Sequence, residues 1–435
     1  MTMTLTVPAR REASRLAGLP VVVIGAGPVG LAAAAHLLER GMDVLVLEAG
    51  ASAGSGVSSW GHVRLFSPWS EVIDPAAGRL LDAAGWDAPE AAKLPLGSDV
   101  VRDYLRPLAE TPELSAVIRY SSKVEAVSRQ GMDKTRSQGR ADVPFLLRTS
   151  TPTGPETLLA RAVIDTSGTL SEANGLLSSG WNPDADGASW LANAMPDVLG
   201  AERARFTGRR VVVVGAGHSA ANTLLALAKL KDAEPTTEIV WVFRGANPTR
   251  VFGDGTDELE ARGRLGSSTH ALVRQGVVEL VDSFEIDDAR ADQDGALLTG
   301  RRNGQPFELR GDVVVAATGF RPDLSILREI RLSLDDIVEA PRQLAPLIDP
   351  NVHSCGTVPP HGVAELTQPE PNFFIAGMKS YGRAPTFLML TGYEQVRSIA
   401  DELAGNHEAA RIVQLTLPET GVCSSGSGDA GSCCS

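Results

Sequence analysis

Two glycine-rich loops, each directly after an apolar run, are the parts of this chain best suited to bind a reactive nucleotide. The first contains Gly25, Gly27 and Gly30, with Pro28 between the last two glycines. In a dinucleotide-binding fold, the first glycine permits a tight turn, the second lets the backbone approach a pyrophosphate, and the third allows close packing of helix on strand. The pyrophosphate then lies at the helix N-terminus, where free amides and the helix dipole stabilise negative charge. This loop therefore predicts a dinucleotide site.

An acidic residue follows the next apolar run and completes the first unit. The run 44–47 leads into Glu48 and Ala49. A carboxylate at this place accepts hydrogen bonds from the ribose hydroxyls of the nucleotide. Glu48 and Ala49 are therefore predicted to bind the same dinucleotide as the first loop. The alternative is a structural glycine turn beside a solvated glutamate.

A second loop of the same kind follows the apolar run 211–214. One such loop is a weak signal, but two in one chain indicate two dinucleotides held together. A protein that binds two dinucleotides usually passes a hydride from one to the other. The residues of this loop that are predicted to bind the second pyrophosphate or to cap the following helix are Gly215, Gly217, His218, Ser219 and Ala220.

The strand that matches 44–47 in the second unit is predicted at 239–243, and a basic residue follows it. Arg244 stands at its end, and Arg250 lies on the following loop. A carboxylate here would repel a ribose phosphate, whereas a guanidinium holds one with paired hydrogen bonds. The second nucleotide is therefore predicted to be NADPH and not NADH. The alternative is a solvated arginine beside an NAD site.

The elements that position these loops indicate an α/β fold with two Rossmann-like dinucleotide-binding domains, one inserted into the other. The discontinuous first domain comprises 19–175 and 312–415, and the inserted domain, with a crossover at its start, comprises 176–311. Within this division, the apolar strand at 312–317 is predicted to return the chain to the first domain. Residues 1–18 form a flexible lead. Residues 416–435 form a flexible Gly/Ser-rich tail that carries cysteines.

Composition excludes several function classes. The chain has 435 residues, enough for two or three domains, and its net charge of −13 disfavours binding to nucleic acid or to anionic membranes. The apolar stretch 21–38 follows Arg10 and Arg11 and resembles a twin-arginine signal or a membrane span. Its fingerprint glycines instead indicate a buried strand and helix. A soluble cytoplasmic enzyme is therefore predicted.

On these motifs the chain resembles the two-dinucleotide flavoproteins, a group that spans flavin-containing monooxygenases and pyridine nucleotide–disulfide oxidoreductases. The resemblance covers roughly 19–405 and implies that the first loop holds FAD and the inserted domain holds NADPH. The second loop with its lead 206–210 is most similar to flavin-containing monooxygenases. The segment 312–322 is similar to the Ala-Thr-Gly linker of both branches, and 372–378 takes the place of the second flavin motif.

The resemblance also implies which residues surround the flavin. The helix that begins near 385 is expected to point its N-terminus at the flavin, where it would stabilise negative charge on the reduced ring. The segment 58–69 is expected to pass over the flavin. The residues that the resemblance places at the cofactor from these motifs are Thr166, Thr318, Gly319, Gly377, Met378 and Thr386.

Several side chains are candidates for the substrate side of the flavin. Trp60, Arg64 and Trp69 either line a pocket, with Arg64 holding an anion or a cofactor oxygen, or form a buried aromatic cluster under a loop. Trp60 and Arg64 are thus also candidates for cofactor contact, and Arg64 and Lys379 for a catalytic role. The candidates for this cavity that follow the second flavin motif are Lys379, Tyr381 and Arg383.

The cysteines leave two alternatives open. No Cys-x-x-Cys pair stands beside the flavin motifs, which makes ordinary dithiol reduction an unfavoured activity. Cys355, close to His353, is a candidate catalytic thiol or a structural residue. The tail cysteines are either incidental or soft ligands for a metal or metalloid. No other metal site is predicted, and these tail thiols are Cys423, Cys433 and Cys434.

The resemblance implies an NADPH-using flavin monooxygenase whose flavin hydroperoxide oxygenates a small soft nucleophile at sulfur, nitrogen or trivalent arsenic. Proteins similar to the whole chain are often associated with bacterial arsenic resistance. The implied partners are molecular oxygen and a small-molecule substrate, and dimers are common in the group. One alternative is an NADPH-dependent thiol or metal(loid) reductase using Cys355 and the tail cysteines. A further alternative is a non-enzymatic flavoprotein sensor or binding module.

Overall fold

The computed structural model describes residues 15–184, 188–246, 260–349, 358–384 and 387–415. Within these ranges the chain forms two five-stranded sheets and two antiparallel sheets of three strands each. The central strand of one larger sheet, Val21–Ile24, is apolar and buried throughout, and that of the other, Arg210–Val214, is buried and apolar after its first residue. This is expected where helices cover both faces of a parallel sheet. The α/β prediction with two Rossmann-like units is confirmed.

The strands are short, and several consist of consecutive β-branched or aromatic residues that favour extended backbone. In chain order they are β1 Val21–Ile24, β2 Val44–Leu47, β3 Ile118–Arg119, β4 Lys123–Arg129, β5 Phe145–Thr151, β6 Gly154–Ala160, β7 Ala162–Asp165, β8 Leu191–Ala192, β9 Arg210–Val214, β10 Glu238–Val242, β11 Glu279–Val281, β12 Phe284–Asp292, β13 Gly295–Arg302, β14 Gln305–Gly311, β15 Val313–Ala316 and β16 Phe373–Ile375.

The first sheet has the strand order β16-β7-β1-β2-β3, with all neighbours parallel. Ile24 at the end of β1 pairs with Leu47 on one side and Asp165 on the other. The carboxyl ends of parallel strands meet at one edge of a sheet, so the residues that follow them come together there. Gly25, Glu48 and the turn after β7 therefore lie at a common edge.

The second sheet has the order β11-β10-β9-β15-β8. Strand β15 pairs with β9 from Val313 opposite Val211 to Ala316 opposite Val214. The prediction that the strand at 312–317 returns the chain to the first domain is therefore wrong, and the chain leaves the second sheet only after this strand. A short, wholly apolar run fits the interior of either sheet, and only its neighbours decide which one it joins.

Two chain segments connect the sheets and run side by side. The amide of Asn174 donates to the carbonyl of Gly319, and the amide of Arg321 donates to that of Glu172, each over 2.9 Å. The Thr318 hydroxyl donates to the Asn174 carbonyl at 2.8 Å, and the Asn174 side-chain amide donates back to the Thr318 carbonyl at 3.1 Å. In sequence, every strand of the second sheet lies between β7 and β16, strands of the first.

The antiparallel sheets are β4-β5-β6 and β12-β13-β14. The polar stretch 129–141, whose sequence predicts an exposed hairpin turn, begins at the last residue of β4 and continues into the connection to β5. It is not exposed throughout. Arg129 and Arg140 are buried, and their guanidinium groups donate to the Glu370 carboxylate at 2.8 and 2.9 Å. Hydrogen bonds from these two arginines lower the pKa of Glu370 although burial raises it.

Helices cover the sheets. The first begins at Pro28 with Gly27 as its N-cap, and residues 29–37 are buried against the first sheet and a late helix. No described helix is of the length and apolarity that crossing a bilayer requires. The α-helices are α1 Pro28–Glu39, α2 Ser55–Ser58, α3 Trp69–Val72, α4 Pro75–Ala83, α5 Gly97–Val100, α6 Arg106–Ala109, α7 Pro112–Ser115, α8 Arg203–Phe206, α9 His218–Ala233, α10 Glu260–Arg274, α11 Ala345–Ile348, α12 Val363–Leu366, α13 Met389–Leu403 and α14 His407–Arg411.

Candidate functional site

The first glycine loop has the shape that a pyrophosphate needs. Gly25 adopts φ +101°, which side chains rarely permit. A Cβ at Gly30 would lie 2.0 Å from the Gly25 carbonyl oxygen and 2.8 Å from the Thr166 hydroxyl, so only glycine fits there. Among the described residues, no atom lies within 4 Å of a Cβ built at Gly27. The loop is thus tight at its first and third glycines and open at its second, beside the N-terminus of α1, which begins at Pro28.

Glu48 is bound to the loop that it was predicted to complement. Its Oε2 accepts a hydrogen bond from the Ala26 amide, and its Oε1 accepts one from the Gly50 amide, each at 2.7 Å. Ala49 lies between these two anchored residues. Each carboxylate oxygen has a second acceptor site, which leaves Glu48 able to receive ribose hydroxyls as well.

Lys379 and Asp165 form an ion pair inside the protein. The Lys379 ammonium lies 2.7 Å from Asp165 Oδ2 and donates to the Ser167 hydroxyl at 3.0 Å, with only 1% of its side chain exposed. The Ser167 hydroxyl in turn donates to Asp165 Oδ1 at 2.7 Å. These contacts join the loop after β7 to the loop after β16. They give Lys379 a structural role, and its catalytic role stays a prediction.

The second flavin motif is held by a buried amide network that the sequence motifs do not indicate. Gly377 has φ +69°, and its amide donates to Gln395 Oε1 at 2.8 Å. Gln395 Nε2 donates to the Ser380 hydroxyl at 2.9 Å and to His361 Nε2 at 2.8 Å. Gln395 lies on α13 among both polar and apolar buried residues, so no pattern in the sequence distinguishes it. Met378, next to Gly377, is 37% exposed.

His361 is a neutral acceptor in this network. Burial lowers the pKa of its imidazole, although the hydrogen bond to the Pro359 carbonyl opposes this shift. Nδ1 lies 3.1 Å from that carbonyl oxygen, which can only accept, so Nδ1 carries the hydrogen of the neutral ring and donates it in this bond. Nε2 is then left as the acceptor for the Gln395 amide. A protonated ring would have no lone pair for this bond.

The second glycine loop repeats the shape of the first. Gly215 adopts φ +132°, and a Cβ there would lie 2.1 Å from the Ala317 carbonyl oxygen. No described atom lies within 4 Å of a Cβ at Gly217, and the third position is the buried Ala220. His218 and Ser219 begin helix α9. The second loop is therefore also open at its middle glycine.

A side chain from the segment after the first unit reaches the second loop. The rings of Phe66 and His218 meet edge to face, with centroids 5.3 Å apart. Phe66 also packs against the apolar core of the second sheet. It is absent from the predicted site residues, because only its place in the aromatic segment 58–69 distinguishes it in the sequence.

Other predicted residues of that segment lie elsewhere. Trp69 is buried in the core of the first sheet, so for this residue the alternative of a buried aromatic position is the one observed. The half-buried Trp60 lies against Gly97, where a Cβ would come within 2.8 Å of its ring. Arg64 is exposed, and its Nη1 donates to the Leu94 carbonyl at 2.6 Å. Cofactor contacts of Trp60 and Arg64, and a catalytic role of Arg64, stay predictions.

Arg244 lies on the surface beside the crossover, and its Nη1 donates to the Ser178 carbonyl at 3.3 Å. The residue that structurally corresponds to Glu48 is its neighbour Phe243. Gly25 donates its amide to the residue before Glu48, and Gly215 donates its amide to Val242, the residue before Phe243. No carboxylate therefore stands at this position of the second unit.

The remaining predictions concern a metal site, two residues that the structure describes and seven that lie outside the described ranges. In the ranges that the structure covers, no group of three or more His, Cys, Asp or Glu side chains is arranged to hold a metal. Tyr381 is buried and Arg383 is exposed. The predicted residues that lie outside the described ranges are Arg250, His353, Cys355, Thr386, Cys423, Cys433 and Cys434.

Sequence comparison identifies a family over most of the chain. The family model for FAD dependent oxidoreductases (DAO) matches residues 20–393. A curated relative, the thiamine thiazole synthase of Archaeoglobus fulgidus, is 41% identical over 85 residues. That match covers 20% of this chain and 31% of the relative, so the chain spans less than a third of the relative's length.

Solved structures of similar fold include a reductase and two monooxygenases. The bacillithiol disulfide reductase Bdr of Bacillus cereus has a TM-score of 0.66 at 20% identity, covering 89% of this chain and 99% of that protein. DfoA, the FAD-bound cadaverine monooxygenase of Erwinia amylovora, has a TM-score of 0.60 at 15% identity, covering 92% of this chain and 98% of that protein. A flavin-containing monooxygenase of Stenotrophomonas maltophilia has a TM-score of 0.54 at 22% identity, covering 89% of this chain and 98% of that protein. Because the family model matches most of its length, the chain belongs to the FAD dependent oxidoreductase family.

Proposed function

We propose that this FAD-dependent oxidoreductase uses NADPH and acts as a monooxygenase on a small soft nucleophile, at sulfur, nitrogen or trivalent arsenic. The observation that carries the proposal is the pair of glycine loops, each open at its middle glycine. Phe66 from the segment 58–69 contacts His218 at the second loop. The reaction balances as NADPH, a proton, O₂ and substrate giving NADP⁺, water and the oxygenated substrate.

The first unit fits FAD. The open space at Gly27 would receive the pyrophosphate, and Glu48 would accept the ribose hydroxyls. Met378, next to Gly377 in the second flavin motif, is an apolar side chain that remains 37% exposed and would pack against the flavin ring. When bound, the flavin would accept a hydride and pass its electrons to an acceptor.

The second unit would hold NADPH. The open space at Gly217 is the place for its pyrophosphate, at the N-terminus of α9. Arg244 is exposed and bound only weakly to a backbone carbonyl, so its guanidinium is free to turn to a ribose phosphate. With Phe243 where the first unit has Glu48, no carboxylate repels that phosphate.

The cysteine distribution supports oxygen over a protein dithiol as the acceptor. No cysteine occurs before Cys355, so neither glycine loop nor the segment 58–69 offers a thiol. The Lys379–Asp165 pair would hold the two loops that border the flavin in a fixed relation.

An isotope experiment tests the proposal. Protein reconstituted with FAD is supplied with NADPH and ¹⁸O₂, together with a panel of thiols, amines and trivalent arsenicals, and products are weighed by mass spectrometry. The expected result is one ¹⁸O atom in the product for each NADPH consumed with the preferred substrate. Complete conversion of the consumed oxygen to hydrogen peroxide with every substrate would contradict it.

A second candidate is an NADPH-dependent thiol or metal(loid) reductase, which the adjacent cysteines Cys433 and Cys434 favour. It predicts turnover without oxygen, and loss of that turnover when Cys355, or the three tail cysteines together, are changed to serine. Full activity in those serine variants would exclude it. Rapid NADPH consumption with a released product, by either route, would exclude a non-enzymatic sensor.

A further inference from the structure

The first glycine of the second loop is held by a tryptophan beneath it. Trp241 lies on β10 and is fully buried. Its indole Nε1 donates to the Gly215 carbonyl at 2.7 Å. A buried indole N–H needs an acceptor, and here that acceptor is the turn that begins the phosphate loop.

The first loop is held at the equivalent peptide bond, but through its N–H group and not through its carbonyl. There the amide of Ala26, which belongs to the peptide bond after Gly25, donates to Glu48 at 2.7 Å. The second unit has Phe243 in place of that glutamate, so its loop lacks the carboxylate. The two units therefore use different groups to orient an equivalent peptide.

The orientation of this peptide decides where one amide points. In a trans peptide the carbonyl and the following N–H point to opposite sides, and the described chain contains no cis peptide bond. With the Gly215 carbonyl bound to the Trp241 indole, the Ala216 N–H points away from that indole. Gly217 follows Ala216 directly, and a Cβ built at Gly217 would meet no described atom within 4 Å.

We propose that Trp241 is a positioning residue for the second phosphate loop, fixing the Gly215–Ala216 peptide so that the loop keeps the shape that receives a dinucleotide pyrophosphate at Gly217. This inference rests on the proposed function, in which the second unit binds NADPH. Because a pyrophosphate is common to NADPH and NADH, Trp241 supports both nucleotides equally. Arg244, by contrast, distinguishes them by the ribose phosphate.

The chain offers a matched control for a tryptophan-to-phenylalanine change. Trp190 is also buried beside the second sheet, and its indole Nε1 has no hydrogen-bond partner among the described residues. Trp190→Phe therefore removes the same atoms as Trp241→Phe without removing a hydrogen bond to the loop. Both variants keep an aromatic ring in the core.

The experiment measures binding of NADP⁺ and NAD⁺, which do not reduce the flavin, to FAD-loaded protein by calorimetry. Trp241→Phe is expected to lower the affinity for NADP⁺ and for NAD⁺ by about three- to tenfold, the range for one lost hydrogen bond. FAD affinity should stay within about twofold, because the first loop is untouched. Trp190→Phe should bind both nucleotides as the wild type does. Steady-state KM for NADPH should rise in Trp241→Phe while kcat at saturation is kept.

Each outcome decides the matter. Wild-type binding in Trp241→Phe, or equal weakening in both variants, would overturn the positioning role and leave the proposed function standing. If the wild-type protein binds neither NADP⁺ nor NAD⁺, the NADPH assignment itself fails and the inference falls with it. If Trp241→Phe weakens the binding of NADP⁺ but not of NAD⁺, Trp241 would serve to recognise the ribose phosphate, and the inference would be overturned.

Discussion

Phe66 and His218 are in edge-to-face contact, although Phe66 follows the first nucleotide-binding unit in sequence and His218 begins helix α9 of the second. Such aromatic pairs contribute about 0.5–1.5 kcal/mol beyond simple burial. The contact therefore ties the segment 58–69 to the loop that is proposed to bind NADPH.

Phe66→Ala is expected to raise the KM for NADPH by about two- to tenfold, because the start of α9 loses its aromatic support. FAD affinity should be unchanged. Phe66→Leu keeps an apolar contact, so its KM for NADPH should lie between those of the wild type and Phe66→Ala. Steady-state kinetics and FAD titration measure these effects. An unaltered KM in the alanine variant would show that the contact does not support the nucleotide.

Gly27→Ala and Gly30→Ala separate cofactor binding from folding. A Cβ at Gly27 meets no described atom and its backbone is extended, so the apoprotein should keep its stability while FAD binding is lost. A Cβ at Gly30 collides with the Gly25 carbonyl, and overpacking of this kind costs about 1–3 kcal/mol. Urea unfolding and the visible absorbance of bound flavin test both. Retention of normal flavin content by Gly27→Ala would contradict the assignment of that space to the pyrophosphate.

Arg244→Glu is expected to abolish any preference for NADPH over NADH, since a carboxylate repels the ribose phosphate. The ratio of kcat/KM for the two nucleotides is the measurement. Arg290→Glu, an exposed change of equal charge on β12, is the control and should leave the ratio unaltered. Persistent NADPH preference in Arg244→Glu would mean that another group recognises the phosphate.

Lys379→Met is expected to destabilise the protein by about 3–5 kcal/mol, because it leaves Asp165 charged and buried without its partner. The double variant with Asp165→Asn should recover part of this loss. Lys123→Met breaks an exposed pair with Glu125 and should cost less than about 1 kcal/mol. Chemical unfolding measures all three. Equal losses at Lys379 and Lys123 would argue against a structurally important buried pair.

His361 predicts a loss of stability in mild acid. Burial lowers its pKa below 6.5, so the unfolded chain takes up a proton at a higher pH than the folded chain. Its contribution is complete above about pH 6.5 and is lost as the pH falls toward the folded pKa, by at most about 1.4 kcal/mol per pH unit. His361→Gln should remove this part of the pH dependence. The free energy of unfolding of both proteins is measured in urea from about pH 5 to pH 8. If the prediction is wrong, it will depend on pH with the same slope in the wild type and in His361→Gln.

The sequence by itself determined the two glycine loops, the α/β class and the place of Glu48. These features are local, since a positive φ at Gly25 and the absence of room for a Cβ at Gly30 follow from the strand–turn–helix geometry alone. The same geometry fixes the spacing of the glycines along the chain. Because that spacing can be read directly from the amino acids, the family relationship follows from them as well.

Only the tertiary structure decided which sheet β15 joins and which side chains meet across the fold. The apolar run of β15 suits either sheet, so its pairing with β9 depends on neighbours that are distant in sequence. Lys379 is paired with Asp165, and Trp241 with Gly215, by contacts between separate elements. Such contacts leave no periodic pattern in the sequence, because they depend on where whole strands and loops are packed.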